Sequence, residues 1–379
     1  MTPRAMGALL MGLSGFLAGW TTGSRLLSLC GAALLAALTV SLASVIVGTL
    51  TLSFTQQLSV REVPRLTPCI LKCRFFMLSL LPLDRLSCQL TLDSGRQVRM
   101  QLRARPWGHT LFSCTLPCRH MGLFPVGVTE ITLQDCFGFF SLRRRNRAPL
   151  PRLLVLPLEH SAREVSFSAQ EGEGQALSRS QSDFTTPDGI RPWQNGDELK
   201  RVHWKLSARR QALVVRTYEP PQKPDALVLL NAHAPATLSL RDELAERCCG
   251  YLHHLLSAGH MTRFPLGESG QEFSERTPQG YAAIRHALAA YPFRDVQPFE
   301  AILEGIAPRM GRTGAVLIFS CELTPPIADA VIALAPLGAR IEFTLITSRT
   351  PSQTQRQLLR LLVASNISAH DVDGGEGEP

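Results

Sequence analysis

The densest concentration of groups capable of chemistry lies in PWQNGDELKRVHWKLSARRQALVVR, residues 192–216. Two of the four lysines (Lys200 and Lys205) and two of the four tryptophans (Trp193 and Trp204) fall there. Read as a catalytic element, the stretch offers His203 as a general base, with Asp197 or Ser207 to assist. On a single helix over 198–206, however, His203 and Ser207 are simply one turn apart, and no oxyanion donor or third triad member stands beside them. Two non-catalytic readings use the same residues. The acids Asp197, Glu198 and Glu219 and the bases Arg201, Lys205 and Arg209 can satisfy one another in a buried ion-pair and indole knot that clamps two domains, with Trp stacked on Arg. Alternatively, the stretch is a docking surface for a partner protein.

Other constellations are weaker. Cys69/Cys73 and Cys114/Cys118 form two CxxxC pairs, looser than the spacing of structural zinc sites, and read as buried thiols. In the run Cys248, Cys249, His253, His254, a helix brings only Cys249 and His253 to one face, too few for a metal site. No glycine-rich phosphate loop, triad spacing or catalytic carboxylate pair stands out, so neither an enzyme nor a bound cofactor is expected. Four of the 39 basic residues are lysine and the rest arginine, and the formal charge is +8. That balance suits an anionic membrane face. No reader motif points to nucleic acid.

Two apolar stretches set the context, residues 5–20 and 26–54, separated by the polar break TTGSR. The second is long enough to cross a bilayer with residues to spare, and the first reaches that length with Thr21 and Thr22. They predict a transmembrane helical hairpin over 1–56; a signal peptide is the rival for the first stretch. Arg4, Arg61, Arg65, Lys72 and Arg74 flank the hairpin's two ends, and Arg25 alone lies in its turn. The soluble part should therefore face the cytoplasm from the inner membrane. Ten unpaired cysteines agree with that compartment.

From 57 to 168 the pattern alternates in short β-prone pieces (LSCQLTL, VRMQLRA, TLFSCTL, VTEITLQ) and predicts a β-sandwich domain. RRRNR at 143–147 reads as a solvated loop or as a contact for lipid headgroups. In HMGLFPVG (120–127) and DCFGFF (135–140), Gly122, Gly127 and Gly138 should make tight turns, and Phe137, Phe139 and Phe140 should supply core area. Residues 169–219 are a polar linker followed by the 192–216 segment. There Asn195-Gly196 should turn, Asp197 should cap a helix, and Leu199, Val202 and Leu206 should face inward, before the strand ALVVRTYE. From 220 to 379, strands alternate with helices, which predicts a doubly wound, mostly parallel sheet.

The two β-domain motifs resemble the "RGxYxxGP … DPFGLF" signature of the bacterial family known as domain of unknown function 58, with Cys136 at its Pro. The segment 190–219 resembles that family's central signature "LRxYxxGDxxRxIhWkaSAR … LxVrxxE". Ile190, Arg191, Trp193, Gly196, Asp197, Arg201, Val202, His203, Trp204, Lys205, Ser207, Ala208, Arg209, Val215, Arg216 and Glu219 fall on it in order. Trp193 stands for the usual Tyr and Asn195 for a usual Pro. The resemblance implies that 220–379 is a von Willebrand factor A-like domain. Such domains hold a divalent cation through Asp-x-Ser-x-Ser after the first strand. Here that place reads Asn231-Ala232-His233-Ala234-Pro235, and the second loop offers only Cys321 and Glu322, so no metal site is expected. The resemblance further implies a membrane-anchored scaffold or assembly factor working with a MoxR-type AAA+ ATPase or other A-domain proteins. A cation-dependent binding module and a hydrolase built on His203 are the alternatives.

Overall fold

The computed structural model describes residues 2–78, 83–91, 97–103, 108–160, 187–194, 202–218, 224–233, 235–310, 313–348 and 350–373, with 162, 164, 165, 167 and 200. The chain divides into two compact units, one of 1–158 with 289–292, the other of 159–288 with 293–379.

The first unit opens with helices α1 (Pro3–Thr22) and α2 (Arg25–Thr51). Both are long and apolar enough to cross a membrane. Thr2 caps α1, and Gly23 ends it in the left-handed conformation that lets the chain reverse. The helices pair through small residues. A Cβ on Gly19 would strike Ser28, and one on Gly31 would strike Phe16, so the backbones touch.

The described strands of this unit form three sheets. Strands β1 (Ser53–Leu58), β3 (Cys69–Met77) and β6 (Gly108–Leu116) form one antiparallel sheet. A second joins β2 (Glu62–Pro64), β10 (Arg152–Leu156) and β7 (Gly122–Pro125). The third has the order β5 (Gln97–Leu102), β4 (Leu83–Thr91), β8 (Gly127–Asp135), β9 (Ser141–Arg145). Alternation drives the burial: along β3, Cys69, Leu71, Cys73, Phe75 and Met77 face in.

Helix α2 is not wholly free of this body. Leu38, Val45 and Leu52 belong to the same core cluster as Leu71, Phe75, Leu86 and Ile131. Each such side chain contributes roughly 1.5–3 kcal/mol on burial. Ser41 donates to Asp135 Oδ2 at 2.6 Å, and Asp135 Oδ1 accepts from the Phe140 amide at 2.8 Å. The RRRNR run is also not a simple loop. Arg143–Arg145 are strand β9, and Arg144 donates to the carbonyls of Thr49 and Leu52, which α2 leaves open at its end. Phe140 is buried, as core area requires, but Phe137 is 53% exposed.

The second unit carries the hairpin β11 (Pro187–Pro192) with β12 (Val214–Tyr218), and between them helix α3 (Trp204–Arg210). A six-stranded sheet follows. Its order is β15 (Gln271–Glu275), β14 (Thr262–Leu266), β13 (Asp225–Leu230), β16 (Thr313–Ser320), β17 (Arg340–Thr347), β18 (Ser368–Asp373). All neighbours run parallel except the edge pair β14–β15. Strand order reverses between β13 and β16, the point at which such sheets open a crevice. Both strands are almost wholly buried, as their unbroken Val/Leu/Ile runs demand. Its described α-helices are α4 (Leu238–Ser257), α5 (Tyr281–Ala290, whose last two residues group with the first unit), α6 (Phe299–Ile306), α7 (Pro325–Leu334) and α8 (Gln353–Ala364). A core of Leu229, Leu303, Ile318, Val331 and Phe343 fills one face.

Candidate functional site

The stretch 187–218 is built on its hairpin. Arg191 pairs with Val215 and Ile190 with Arg216 in the β11–β12 register. The Trp193 amide donates to the Leu213 carbonyl at 2.9 Å. The expected helix over 198–206 does not run through Val202 and His203. Val202 makes a β-bridge to Val215, and the His203 amide donates to the Val214 carbonyl at 2.8 Å. A β-branched residue pairing with a strand holds the chain extended there, so the helix begins only at Trp204. Its cap is His203, whose Nδ1 accepts from the Leu206 amide. Asn195, Gly196, Asp197, Glu198, Leu199, Arg201 and Glu219 lie outside the described residues, so the expected Asn195-Gly196 turn and Asp197 cap lie there too.

Ser207 does not meet the imidazole. Its hydroxyl donates to the His203 carbonyl at 3.1 Å and accepts from the Val214 amide at 3.0 Å, and the residue is buried. Both members of the imagined dyad are therefore committed to backbone groups, locking α3 onto β12. The side chains turned outward are different ones. Trp204 is 62% exposed, and Lys205, Arg209 and Arg210 are exposed beside it. Lys200 is exposed as well. Trp193 and Arg191 are half-buried; Arg191 Nη1 donates to the Pro192 carbonyl at 3.2 Å. The indole nitrogen of Trp193 is buried without a hydrogen-bond partner among the described residues. In the described part, the clustered bases and one indole form an open cationic face on a rigid frame.

The second candidate lies at the carboxyl ends of β13 and β16. Asn231 is buried and donates from Nδ2 to Ser320 Oγ at 3.0 Å and to Glu322 Oε1 at 3.4 Å. Its Oδ1 accepts from the His233 amide at 3.1 Å. Ser320 Oγ donates in turn to the Glu322 carbonyl. The His233 side chain is exposed, and Pro235 is half-buried. An amide thus projects a donor between a hydroxyl and a carboxylate, where a hard cation wants oxygen. Burial, and then the charge of Glu322, push the Cys321 thiol up to about 12, so it is a neutral group there. Ser320 and Asp295, whose amide lies 3.5 Å from the Ala232 carbonyl, had no sequence signal as neighbours of Asn231.

A third group was also missed. His160 Nε2 lies 3.4 Å from Glu243 Oε2, and His160 Nδ1 lies 3.8 Å from Glu246 Oε2. These are the only three ligand-type side chains that gather within 4.8 Å of one another among the described residues. A nitrogen and two carboxylates could hold a divalent ion, but Glu243 is also held by Arg247 at 2.7 Å. Beside them Glu159 reaches Arg285 at 3.2 Å. The His160 carbonyl sits where a Cβ on Gly250 would be. The arrangement is a polar staple fastening 159–160 across α4. Helical spacing marks Glu243 and Glu246 as neighbours, but nothing in the sequence brings His160 to them.

Of the two cysteine pairs, Cys69, Cys73 and Cys118 are buried thiols and Cys114 is half-buried. Burial, then the neighbouring thiol, pushes Cys73 up to about 11 and Cys88 to about 12. Cys249 rises to about 12 chiefly through burial, while a hydrogen bond from Tyr281 works the other way. Thiols held this firmly protonated are poor ligands and poor nucleophiles.

Residues 189–355 match the family described as "Protein of unknown function DUF58". The chain is 22% identical over 199 residues to "Uncharacterized protein YeaD" of Bacillus subtilis (strain 168), covering 49% of this chain. It spans less than half, 46%, of that protein's length. It is also similar to the solved structure of a GH20 exo β-N-acetylglucosaminidase from Vibrio harveyi, at 10% identity, 84% and 81% coverage and a TM-score of 0.20. Against Cwp6 from Clostridium difficile the values are 8%, 84%, 37% and 0.19. At such TM-scores these two likenesses carry no argument.

Proposed function

We propose, from the match of residues 189–355 to a family of unknown function, that the chain is a membrane-anchored scaffold or assembly factor. It works through protein contacts on the cytoplasmic face, and the α3 face is its docking surface. The observation that carries this reading is the division of labour inside one signature. Ser207 and His203 are spent on backbone hydrogen bonds, while Trp204, Lys205 and Arg209 stand in solvent on the frame those bonds hold. Exposed Trp and Arg on rigid support are what hot spots are made of. Their charge selects an acidic surface, and the family resemblance makes a MoxR-type AAA+ ATPase or another A-domain protein the partner class.

Three features support the rest of the reading. The doubly wound second unit, with a loop at the switch point after β13, suits an A-type domain. The Asn231 amide bonded to Glu322 suits one that has given up its cation. The hairpin shares its core with the β sheets, which suits a retained anchor better than a cleaved signal sequence.

The test is crosslinking and pull-down of the full chain from membranes, wild type beside Trp204→Ala/Arg209→Glu. Selective loss of one acidic partner, with an unchanged melting temperature, is the expected result. An unchanged partner set with a lowered melting temperature would make the segment a clamp within the chain instead.

A further inference from the structure

We infer that the turn between β8 and β9 dips into the bilayer, and that the cleft it forms with α1 and α2 holds an acyl chain of a membrane phospholipid. The inference rests on reading α1 and α2 as membrane-spanning, and adds a lipid site to it.

Depth comes first. Helix α1 has 20 residues, so it is about 30 Å long, the thickness of the hydrocarbon layer. Helix α2 runs antiparallel to it, Gly12 lying against Leu35 and Gly31 against Phe16. It covers the same about 30 Å by Ser44, and its last residues lie beyond. The far end carries Trp20, 78% exposed, and Arg25, the pair of types that anchor a helix at an interface. The near end is tied to the turn. The Thr2 amide donates to the Phe139 carbonyl at 3.0 Å, and its hydroxyl to the Gly138 carbonyl at 2.8 Å. Gly138, at φ +73, has the Arg4 guanidinium close by. The turn therefore sits at the level where α1 enters the hydrocarbon.

Its composition fits that level. Phe137 is 53% exposed and stacks on Phe139 at 5.6 Å between centroids. A pair of phenylalanine rings next to a turn bordered by the Arg4 guanidinium matches the apolar-plus-basic make-up of segments that lie at the headgroup and acyl boundary.

The cleft lies just inside this boundary. Its walls are Leu9 from α1, Leu35, Leu38 and Leu42 from α2, and Phe140 and Leu142 from the turn and β9; its volume is about 410 Å³. At 1.5 Å per residue, Leu9 is about 9 Å inside the start of α1, and Leu42 is about 3 Å short of Ser44. The opening thus faces lipid tails, and its lining continues the exposed Leu10, Leu13 and Leu17 of the same hairpin. Beyond it, where α2 ends, Arg145 and Arg147 line an open recess with Leu52 and Phe54, at the height of phosphate groups. An anionic phospholipid has the matching pair of parts, a tail for the cleft and a charge for the arginines.

The experiment uses the full chain in phosphatidylcholine nanodiscs containing phosphatidylglycerol with a photoactivatable diazirine on one acyl chain. Labelled peptides are located by mass spectrometry. The expected result is labelling both on the hairpin around Leu10–Leu17 and on 139–142. In Leu142→Trp, which fills the cleft from β9, and in Leu9→Trp, which fills it from α1, labelling of 139–142 should fall several-fold while the hairpin signal persists. Hairpin labelling alone in wild type would leave the anchor standing and overturn the lipid site. Labelling of 139–142 that survives both variants would show general contact with the bilayer and overturn the cleft. Absence of label from the hairpin would remove the anchor itself, and the site with it. A second copy in the cleft would be seen as a protein–protein crosslink that the same variants abolish, and would overturn the lipid assignment.

Discussion

At the scale of single residues, the groups that look most chemical are engaged in holding backbone. Ser207 satisfies the buried Val214 amide, so Ser207→Ala should leave that donor unpaired and cost about 1–3 kcal/mol. Chemical denaturation measures this, and an unchanged midpoint would mean that water replaces the hydroxyl. The Asn231 amide is the second instructive residue. Asn231→Asp puts a carboxylate where the amide now donates to Glu322, so the variant should melt lower than wild type. Mg²⁺ should restore part of the loss by supplying the missing charge, while leaving wild type unmoved; differential scanning calorimetry with and without the ion reads both.

The thiols define a pH window. Cys73, Cys88, Cys249 and Cys321 keep their protons to about 11–12, against an ordinary value of 9.0. A raised folded value means that the folded state binds the proton more tightly. Its contribution is therefore complete below pH 9 and is lost as pH climbs toward 12. Stability should fall across that range, and at pH 8 iodoacetamide should label exposed Cys136 but not these four.

At the scale of elements, α2 does two jobs along one continuous helix. Its first part pairs with α1 through glycine contacts; its last part is a strut in the β core. Gly31→Val would drive a branched side chain into the Phe16 backbone and should force the hairpin apart. A disulfide trapping assay between cysteines placed at 12 and 35 would then lose its crosslink. The β core should notice less, because Leu38 and Val45 join it from the later part of α2, beyond the Gly31 contact.

At the scale of the whole molecule, the two units carry separate cores. Removing residues 1–52 strips Leu38, Val45 and Leu52 from the first core and leaves Asp135 without Ser41. Such a chain should lose one of two calorimetric transitions and keep the one belonging to the unit built on β13 and β16. If both transitions survived, the hairpin would be a dispensable leader rather than part of the fold.

Several of these features were legible from residue order alone. The apolar runs, the turn at Gly23, the strands from 225 onward and the helices between them follow from periodicity, because burial imposes a repeat of 2 or 3.6 on any segment. The chain order of α1 and α2 then follows from length. The short edge strand β15 and the helix α6 were not visible: QEFSE has a single apolar residue, and FEAILEGI, though apolar, spans only eight residues between Pro298 and Pro308, too short a window for a periodic signal. What tertiary structure decided was the use of each polar group. Residue types in 192–216 allowed a dyad, a clamp or a docking face. Only the pairing of Val202 with Val215 showed that the helix starts late, that Ser207 points at backbone and that Trp204 points at solvent. Likewise the surplus length of α2 was plain in the sequence, but its destination was not. A helix continues for local reasons, whereas what its side chains pack against depends on which surface lies beside it, and for α2 that surface comes from strands about a hundred residues away.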